Sequence, residues 1–348
     1  MIKFFLLIIL VLAAGAFFFW DSIKRSYFST PIWETVQTID EGGPGKEEPN
    51  PLTIEAQRQK EYPGSDIVIE QTLDPGSNYQ RYIASYRSDG LKIYGLLTVP
   101  NGAAPEGGFP AIVFNHGYIP PAEYTTTGKY VAYTDGFSRN GYVVFKPDFR
   151  GHGESEGNPS GAYYSDAYIT DVLSALASVK KYKDVNPGKL GMWGHSMGGH
   201  LTLRAMVVSK DIKAGVIWGG VVGSYSDMIN NWRRRIPWMP SVSERQFRRP
   251  GRQELLDKYG TPEQNPDFWN SISPINFVSD ISGPVQLHHG LADESVPWEF
   301  SKSFADALLG AGKTVEYYTY EGADHNLSGS AFGQAMTRSV EFFDKYLK

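Results

Sequence analysis

A serine between two glycines is the first feature of this sequence that could do chemistry. Residues 194–198 read Gly-His-Ser-Met-Gly, which places a glycine two positions from Ser196 on each side. This spacing is typical of a nucleophile elbow, a sharp turn between a strand and a helix that exposes the serine hydroxyl. Gly194 and Gly198 leave room where side chains would collide. The pattern predicts Ser196 as a nucleophile, and a glycine-rich helix cap is the alternative without chemistry.

A serine hydroxyl needs an imidazole to take its proton. The sequence has histidines at positions 116, 152, 195, 200, 288, 289 and 325. When the serine lies on such an elbow, the acid and then the base follow it along the chain. That order excludes the first two histidines, and the next two belong to the elbow. The adjacent pair lies at a strand ending, before the acid candidates. His325, in a loop before the last predicted helix, is therefore the predicted base.

The acid that orients this histidine is predicted to be Asp293. It follows the predicted strand 284–287, at the carboxyl end of the sheet where such residues belong. Glu294 would point elsewhere, and Asp148 precedes the serine and so breaks the order. Asp324 directly precedes His325, and adjacent side chains in a loop rarely pair well.

Two backbone amides are expected to bind the negative charge that develops on a substrate oxygen. The residue after the serine, Met197, supplies the first amide. The second is predicted in the loop 115–118, which follows the short apolar strand 111–114, and the best placed donor there is the amide of Tyr118. A simple turn is the alternative interpretation of this loop.

The strands and helices that must position these residues alternate along the chain. Apolar runs with β-branched and aromatic residues predict strands at 67–73, 79–87, 91–99, 111–114, 142–145, 190–193, 214–218, 284–287 and 314–320. Helices are predicted at 164–183, 197–209, 298–311 and 329–346. Alternation predicts a mainly parallel sheet with helices on both faces, and the turn at Asp89-Gly90 predicts an antiparallel hairpin at its edge. With the elbow, this is the pattern of an α/β-hydrolase fold.

Residues 222–265 interrupt the alternation. They carry two tryptophans, several prolines and the run Arg233-Arg234-Arg235. Because so long a connection is unusual in a compact domain, it is predicted to be a cap inserted over the carboxyl edge of the sheet. Its arginines could bind an acidic substrate or lipid headgroups, or could simply be solvated.

The N-terminal part divides into two predicted segments before the hydrolase domain at 67–348. Residues 4–20 are uncharged and end in an aromatic cluster, so 1–25 is interpreted as a membrane anchor with the catalytic domain outside the cytoplasm. The alternative is a cleaved signal peptide and a secreted protein. Residues 26–66, rich in glycine and proline, are interpreted as a linker or irregular wrap.

Composition excludes several other functions. The formal net charge of −5 gives no reason to expect nucleic acid as a partner. The absence of cysteine removes thiol catalysis and disulfides. Glycines at 151, 153 and 157 have the wrong spacing for a dinucleotide loop, and no zinc motif is present, so no cofactor and no metal are expected.

Taken together, these motifs resemble the catalytic domain of the prolyl oligopeptidase family and of related dipeptidyl-aminopeptidase-like hydrolases. The matching stretches span about 67–348 and lie at 88–95, 147–153, 194–199, 273–275, 290–297 and 322–325. The resemblance implies serine hydrolysis of a peptide or ester through an acyl-enzyme. The leading interpretation is a hydrolase of short peptides or aminoacyl compounds. A carboxylesterase is the alternative, because the run Met197-Gly-Gly is shared with esterases. Fewer than ~70 residues precede the hydrolase domain here, too few for a propeller of ~40-residue blades, so the cap is expected to select substrates.

Overall fold

The computed structural model describes residues 49–232 and 251–348, whose centre is a sheet of nine strands. The strands are β1 (Val68–Leu73), β2 (Tyr79–Ser88), β3 (Leu91–Pro100), β4 (Phe109–Asn115), β5 (Val143–Pro147), β6 (Val185–His195), β7 (Ile212–Trp218), β8 (Val285–Gly290) and β9 (Val315–Tyr320). Each of them contains a stretch that was predicted to be a strand.

The helices of the described residues connect and cover these strands. They are α1 (Ile54–Gln59), α2 (Val131–Ser138), α3 (Ala167–Lys180), α4 (Met197–Val208), α5 (Tyr225–Asn230), α6 (Arg252–Tyr259), α7 (Pro266–Ile272), α8 (Trp298–Gly310) and α9 (Ser330–Leu347). Two 3₁₀ helices lie at Pro121–Glu123 and Pro274–Asp280. The predicted helices correspond to α3, α4, α8 and α9, whereas α1, α2, α5, α6 and α7 were not predicted.

The strand order is β1-β2-β3-β5-β4-β6-β7-β8-β9. Strands β1, β2 and β3 pair antiparallel, β3 pairs antiparallel with β5, and all pairs from β5 to β9 are parallel. Parallel neighbours need crossover connections, which the helices supply. The fold is therefore the predicted α/β-hydrolase architecture with an antiparallel edge.

The predicted hairpin joins β2 to β3. Ser88 pairs with Leu91, so the turn consists of the two residues between them. Asp89 has φ 48° and Gly90 has φ 80°, the left-handed conformations that a two-residue hairpin turn requires. The predicted hairpin is confirmed.

Two apolar layers cover the two faces of the sheet. Buried residues of α3, α4 and α8 form one cluster with alternate strand residues, and those of α2 and α9 form the other. Helix α9 buries Val340, Phe342, Phe343 and Leu347, whose spacing places them on one face of the helix. Both layers leave the carboxyl ends of β4 to β8 at one edge, where the predicted site lies.

The compact unit begins at Pro49, earlier than the predicted domain boundary at residue 67. The reason is α1, which is capped by the Thr53 side chain and buries Ile54 completely. The buried Arg204 of α4 then donates to the carbonyl of Leu52 at 2.9 Å. Residues 49–66 thus wrap against the domain, while the rest of the predicted linker and the predicted anchor at 1–25 lie outside the described residues.

The predicted cap is described at both ends. Helix α5 begins it and α6 lies near its end, while 233–250, with most of its arginines, lies outside the described residues. Trp269 and Ile272 of α7 pack with Tyr225 of α5 in a small separate cluster. No helix within 49–232 or 251–348 is long and apolar enough to cross a bilayer.

Candidate active site

Ser196 lies in a sharp turn between β6 and α4. Its φ of 56° and ψ of −117° are unusual for a residue with a side chain. The end of β7 and the segment after it hold this turn, because the N–H of Ser196 donates to the carbonyl of Trp218 at 3.0 Å and its carbonyl accepts from Val221 at 3.1 Å. This is the strained strand-to-helix geometry of a nucleophile elbow.

The two glycines of the motif are needed because backbone approaches closely at both. A Cβ at Gly194 would lie 2.2 Å from the carbonyl oxygen of Gly198. A Cβ at Gly198 would lie 1.9 Å from the carbonyl oxygen of Asn115, at the end of β4. The second contact was not foreseen from the sequence, because it joins the elbow to the loop that carries Tyr118.

Asp293 and His325 are hydrogen-bonded to each other. Nδ1 of His325 donates to Oδ2 of Asp293 at 2.7 Å. The other oxygen, Oδ1, accepts from the backbone N–H of Ser295 at 2.8 Å and of Val296 at 2.9 Å. The carboxylate is fully buried, whereas His325 keeps 18% of its side chain exposed. This arrangement leaves Nε2 of His325 as the nitrogen that can serve a nucleophile.

Charge at Asp293 is stabilised in spite of its burial. Burial by itself would raise the pKa of the carboxyl group, but hydrogen bonds from His289 and His325 outweigh it and hold the pKa well below its usual value. The group is therefore ionised over the whole physiological range, as orientation of an imidazolium requires.

The competing carboxylates have other partners. Asp324 accepts from the backbone N–H groups of Asn326 at 3.2 Å and Ser328 at 2.8 Å, which stabilises the loop that carries His325. Asp148 accepts from the hydroxyls of Tyr124 at 2.7 Å and Thr126 at 2.5 Å. Among the candidates considered from the sequence, the structure brings Asp293 to His325.

A second histidine bonds to the same aspartate. Nε2 of His289 lies 3.1 Å from Oδ2 of Asp293 and 3.1 Å from the carbonyl of Val296. Because a carbonyl can only accept, Nε2 carries the hydrogen, and Nδ1 faces the Ser301 hydroxyl at 2.7 Å. The neighbouring His288 points to the other face of the sheet, as its place on the strand predicted. Sequence reasoning set His289 aside, although its place at the strand end four residues before Asp293 was a usable signal.

The histidine inside the elbow connects Ser196 to the loop of His325. Nε2 of His195 lies 2.9 Å from the carbonyl oxygen of His325, and the two rings have centroids 4.6 Å apart. Burial and then the nearby His325 lower the pKa of His195 to about 3, so this ring is neutral. The residue before Ser196 is therefore bonded to the backbone of His325, although the two lie 130 positions apart in sequence.

The predicted oxyanion donors belong to the start of α4 and to the loop after β4. Met197 is the first residue of α4, and the first N–H groups of a helix have no acceptor inside it. Gly117 lies against the elbow, since a Cβ there would be 3.2 Å from Cβ of Ser196. Tyr118, the next residue, is half-buried beside it. The backbone of 117–118 thus reaches the nucleophile.

A groove of about 450 Å³ adjoins these residues. Its lining includes Tyr118 of the oxyanion loop, Tyr130, Tyr133 of α2 and Asn326, the residue after His325. Glu123 and Lys129, both exposed, add one negative and one positive charge to it. No cluster of three or more metal-ligating side chains occurs in 49–232 and 251–348.

Comparison with protein families supports a hydrolase. The model of the prolyl oligopeptidase family matches residues 130–348, which include Ser196, Asp293 and His325. Among curated proteins, the uncharacterized peptidase YtmA of Bacillus subtilis is 28% identical over 74% of this chain and 92% of its own length.

Solved structures with low sequence identity share the fold. The acetyl xylan esterase from Paenibacillus sp. R4 aligns with a TM-score of 0.61 and 20% identity, over 84% of this chain and 92% of that one. Pyrococcus horikoshii acylaminoacyl peptidase aligns with a TM-score of 0.60 and 22% identity, over 78% of this chain. The match spans only 42% of that peptidase's length.

Proposed function

Because this chain belongs to the prolyl oligopeptidase family, we propose that it is a serine hydrolase that cleaves peptide or aminoacyl bonds through an acyl-enzyme on Ser196. The observation that carries this proposal is the 2.7 Å hydrogen bond between His325 Nδ1 and a buried, ionised Asp293, next to a serine on a strained elbow. Acyl transfer needs a nucleophile, a base and a carboxylate that orients the base.

In the first half of the reaction the substrate acyl group moves to the enzyme. Nε2 of His325 takes the proton of the Ser196 hydroxyl while the oxygen attacks the carbonyl carbon. The amides of Met197 and Tyr118 bind the resulting oxyanion. The tetrahedral intermediate then collapses, the bond to the leaving amine or alcohol breaks, and His325 gives that group its proton.

In the second half water replaces the leaving group. His325 takes a proton from water, and the hydroxide attacks the carbonyl carbon of the acyl-serine. Collapse of this intermediate breaks the ester to Ser196, and the proton returns from His325 to the serine oxygen. The products are a free acid and the released amine or alcohol. Asp293 remains ionised throughout and stabilises the imidazolium.

The groove supports a small substrate. Its lining includes both Tyr118 and Asn326, so a group bound there lies next to the oxyanion loop and the loop of His325. Its volume of about 450 Å³ is at the lower end of the range for small-molecule sites. We therefore propose short peptides or aminoacyl compounds as substrates.

A panel of aminoacyl-nitroanilides and nitrophenyl esters tests this function, with Ser196→Ala as the control. We expect wild type to cleave both amides and esters, and Ser196→Ala to cleave neither. A fluorophosphonate probe should label wild type but not Ser196→Ala. Equal labelling of the variant would show that the nucleophile is another residue.

A carboxylesterase is the second candidate, and the likeness to the acetyl xylan esterase over 92% of that chain favours it. The same triad and oxyanion donors would serve an ester, whose alcohol leaves more readily than an amine. Turnover of the nitrophenyl esters without cleavage of any nitroanilide would decide for the esterase.

We also propose that residues 4–20 anchor the enzyme in a membrane with the catalytic domain outside the cytoplasm. The support is the uncharged run between Lys3 and Asp21, ending in Phe17-Phe18-Phe19-Trp20. Alkaline carbonate extraction of membranes should leave the full chain in the pellet and release a chain without residues 1–25. A secreted product with a new N-terminus near Ala16 would instead show a cleaved signal peptide.

A further inference from the structure

Tyr130 and His195 form a hydrogen-bonded connection between the oxyanion loop and the loop of His325. The hydroxyl of Tyr130 accepts from the N–H of Gly117 at 2.8 Å. The same hydroxyl lies 2.7 Å from Nδ1 of His195, and Nε2 of His195 lies 2.9 Å from the carbonyl oxygen of His325. Three hydrogen bonds thus join Gly117 to His325 through two side chains.

The direction of each hydrogen bond follows from the groups involved. The carbonyl of His325 can only accept, so Nε2 of His195 carries the hydrogen. His195 is neutral, because burial and then His325 lower its pKa to about 3. Nδ1 is therefore an acceptor, and the Tyr130 hydroxyl must donate to it. That hydroxyl then has its lone pairs free for the N–H of Gly117, which leaves one consistent arrangement.

The connection orients the amide that is proposed to bind the oxyanion. Tyr130 holds the N–H of Gly117, and Nδ1 of His116 donates to the carbonyl of Gly117 at 2.7 Å. In a trans peptide the N–H of the next residue points away from that carbonyl. Fixing both polar groups of Gly117 therefore fixes the direction of the Tyr118 N–H.

Backbone strain at Tyr130 supports this role. Tyr130 has φ 61° and ψ 24°, in the left-handed region that residues with a side chain rarely adopt. Strained residues of this kind persist where the surroundings determine them, often at functional sites. Here the unusual backbone directs the ring toward Gly117 and His195.

We propose that Tyr130 and His195 are positioning residues, which couple the orientation of the oxyanion amide of Tyr118 to the placement of His325. This inference rests on the proposed function, since it assigns no chemistry apart from acyl transfer. Loss of the connection would weaken binding of the transition state more than binding of the substrate, because the oxyanion exists only in the former.

Three variants separate the parts of the connection. Tyr130→Phe removes the hydroxyl and keeps the ring. His195→Gln places an amide nitrogen near the position of Nε2 and keeps the donor to His325, whereas His195→Asn places an amide oxygen near Nδ1 and keeps the acceptor for Tyr130. Tyr142→Phe is the matched control, because it also removes a hydroxyl from a buried ring, one bonded to Asp344 at 2.5 Å.

We expect Tyr130→Phe to lower kcat for a nitrophenyl ester about tenfold with KM within about twofold, while Tyr142→Phe leaves both unchanged. The double variant of Tyr130→Phe with His195→Gln should be no slower than the slower single variant, since either change breaks the same connection. Across the set, affinity for a trifluoromethyl ketone that forms a tetrahedral adduct should fall in proportion to kcat/KM.

The outcomes distinguish this inference from the proposed function. Wild type that fails to react with a fluorophosphonate at Ser196 would overturn both. A labelled wild type with Tyr130→Phe at full kcat would overturn the connection alone. The connection would also be overturned if the fold-loss of kcat in the double variant of Tyr130→Phe with His195→Gln were the product of the two single fold-losses. If His195 variants do not fold, the isosteric Tyr130→Phe still decides the question.

Discussion

Nε2 of His289 donates a hydrogen bond to Oδ2 of Asp293, the same oxygen that accepts from His325. Asp293 therefore receives two imidazole N–H groups on one oxygen and two backbone N–H groups on the other. A buried carboxylate with four donors cannot rotate without losing several of them. The orientation of His325 thus depends on His289, a fully buried residue of β8.

Replacing His289 by phenylalanine should lower both activity and stability. The change removes the donor to Asp293, and we expect kcat to fall about tenfold and the free energy of unfolding to fall by about 1–3 kcal/mol. His289→Gln, which keeps a donor nitrogen, should recover part of the activity. Ester kinetics and urea unfolding measure the two effects. His288→Phe, on the opposite face of the sheet, should lose stability but keep kcat. Equal losses of kcat in His288→Phe and His289→Phe would contradict the role of His289 in holding Asp293.

Asp293→Asn should reduce kcat by about 10⁴-fold, as expected when the imidazole loses its orienting carboxylate and adopts the wrong tautomer. Asp324→Asn is the matched control. It is adjacent to His325 in sequence, but its carboxylate accepts hydrogen bonds from loop groups of Asn326 and Ser328. We expect its kcat to remain close to wild type. If Asp324→Asn lost kcat and Asp293→Asn kept it, Asp324 would be the acid that orients His325.

Asp293 should also make the protein sensitive to acid. Its pKa is lower in the folded state than in the unfolded chain, so its contribution to stability is complete above the unfolded pKa of about 3.9. The contribution is lost as the pH falls toward the lower native pKa. The difference in unfolding free energy between wild type and Asp293→Asn should therefore shrink below about pH 4. Urea titrations at several pH values measure it, and a constant difference would be inconsistent with the low pKa.

Gly198→Ala should disturb the oxyanion loop. The added methyl group would lie 1.9 Å from the carbonyl oxygen of Asn115, two residues before Gly117. We expect a loss of about 1–3 kcal/mol in stability and of about 10²-fold in kcat, since a shift of one ångström at a reacting group has effects of this size. Gly161→Ala is the control, because nothing lies within 4 Å of its added Cβ. Full activity of Gly198→Ala would show that the contact relaxes without moving the loop.

The buried Lys146 should make the folded protein more stable in mild alkali. It is fully buried on β5, and its Nζ donates to the Tyr124 hydroxyl at 2.9 Å. Burial lowers the pKa of Lys146 to about 8, against about 10.4 in an unfolded chain. Between these values only the unfolded chain holds the proton, so stability rises with pH there.

We expect wild type to gain up to about 3 kcal/mol over Lys146→Met between about pH 8 and pH 10.4. Urea unfolding at pH 7, 9 and 10.5 measures this gain. Lys180→Met, which removes an exposed lysine paired with Asp211, should show no such trend. A difference between wild type and Lys146→Met that does not change with pH would mean that the buried lysine keeps its proton.

Much of the fold was predictable because its signals are local. Short apolar runs bounded by turn residues located all nine strands, and the left-handed pair Asp89-Gly90 specified the hairpin. Helix α2 was missed because it contains Gly136 and lacks a clear apolar face in sequence. This glycine lies where α2 packs closely on α9, since a Cβ there would lie 2.6 Å from Sδ of Met336.

The sequence by itself determined the nucleophile motif and the order in which Ser196, Asp293 and His325 follow one another. Both depend on features that neighbouring residues display, namely an elbow pattern and the ends of predicted strands. Only the tertiary structure decided which groups surround them. His195 meets the carbonyl of His325 across 130 positions and Tyr130 across 65. Such contacts depend on which strands and loops the sheet order places side by side, and no local pattern records that order.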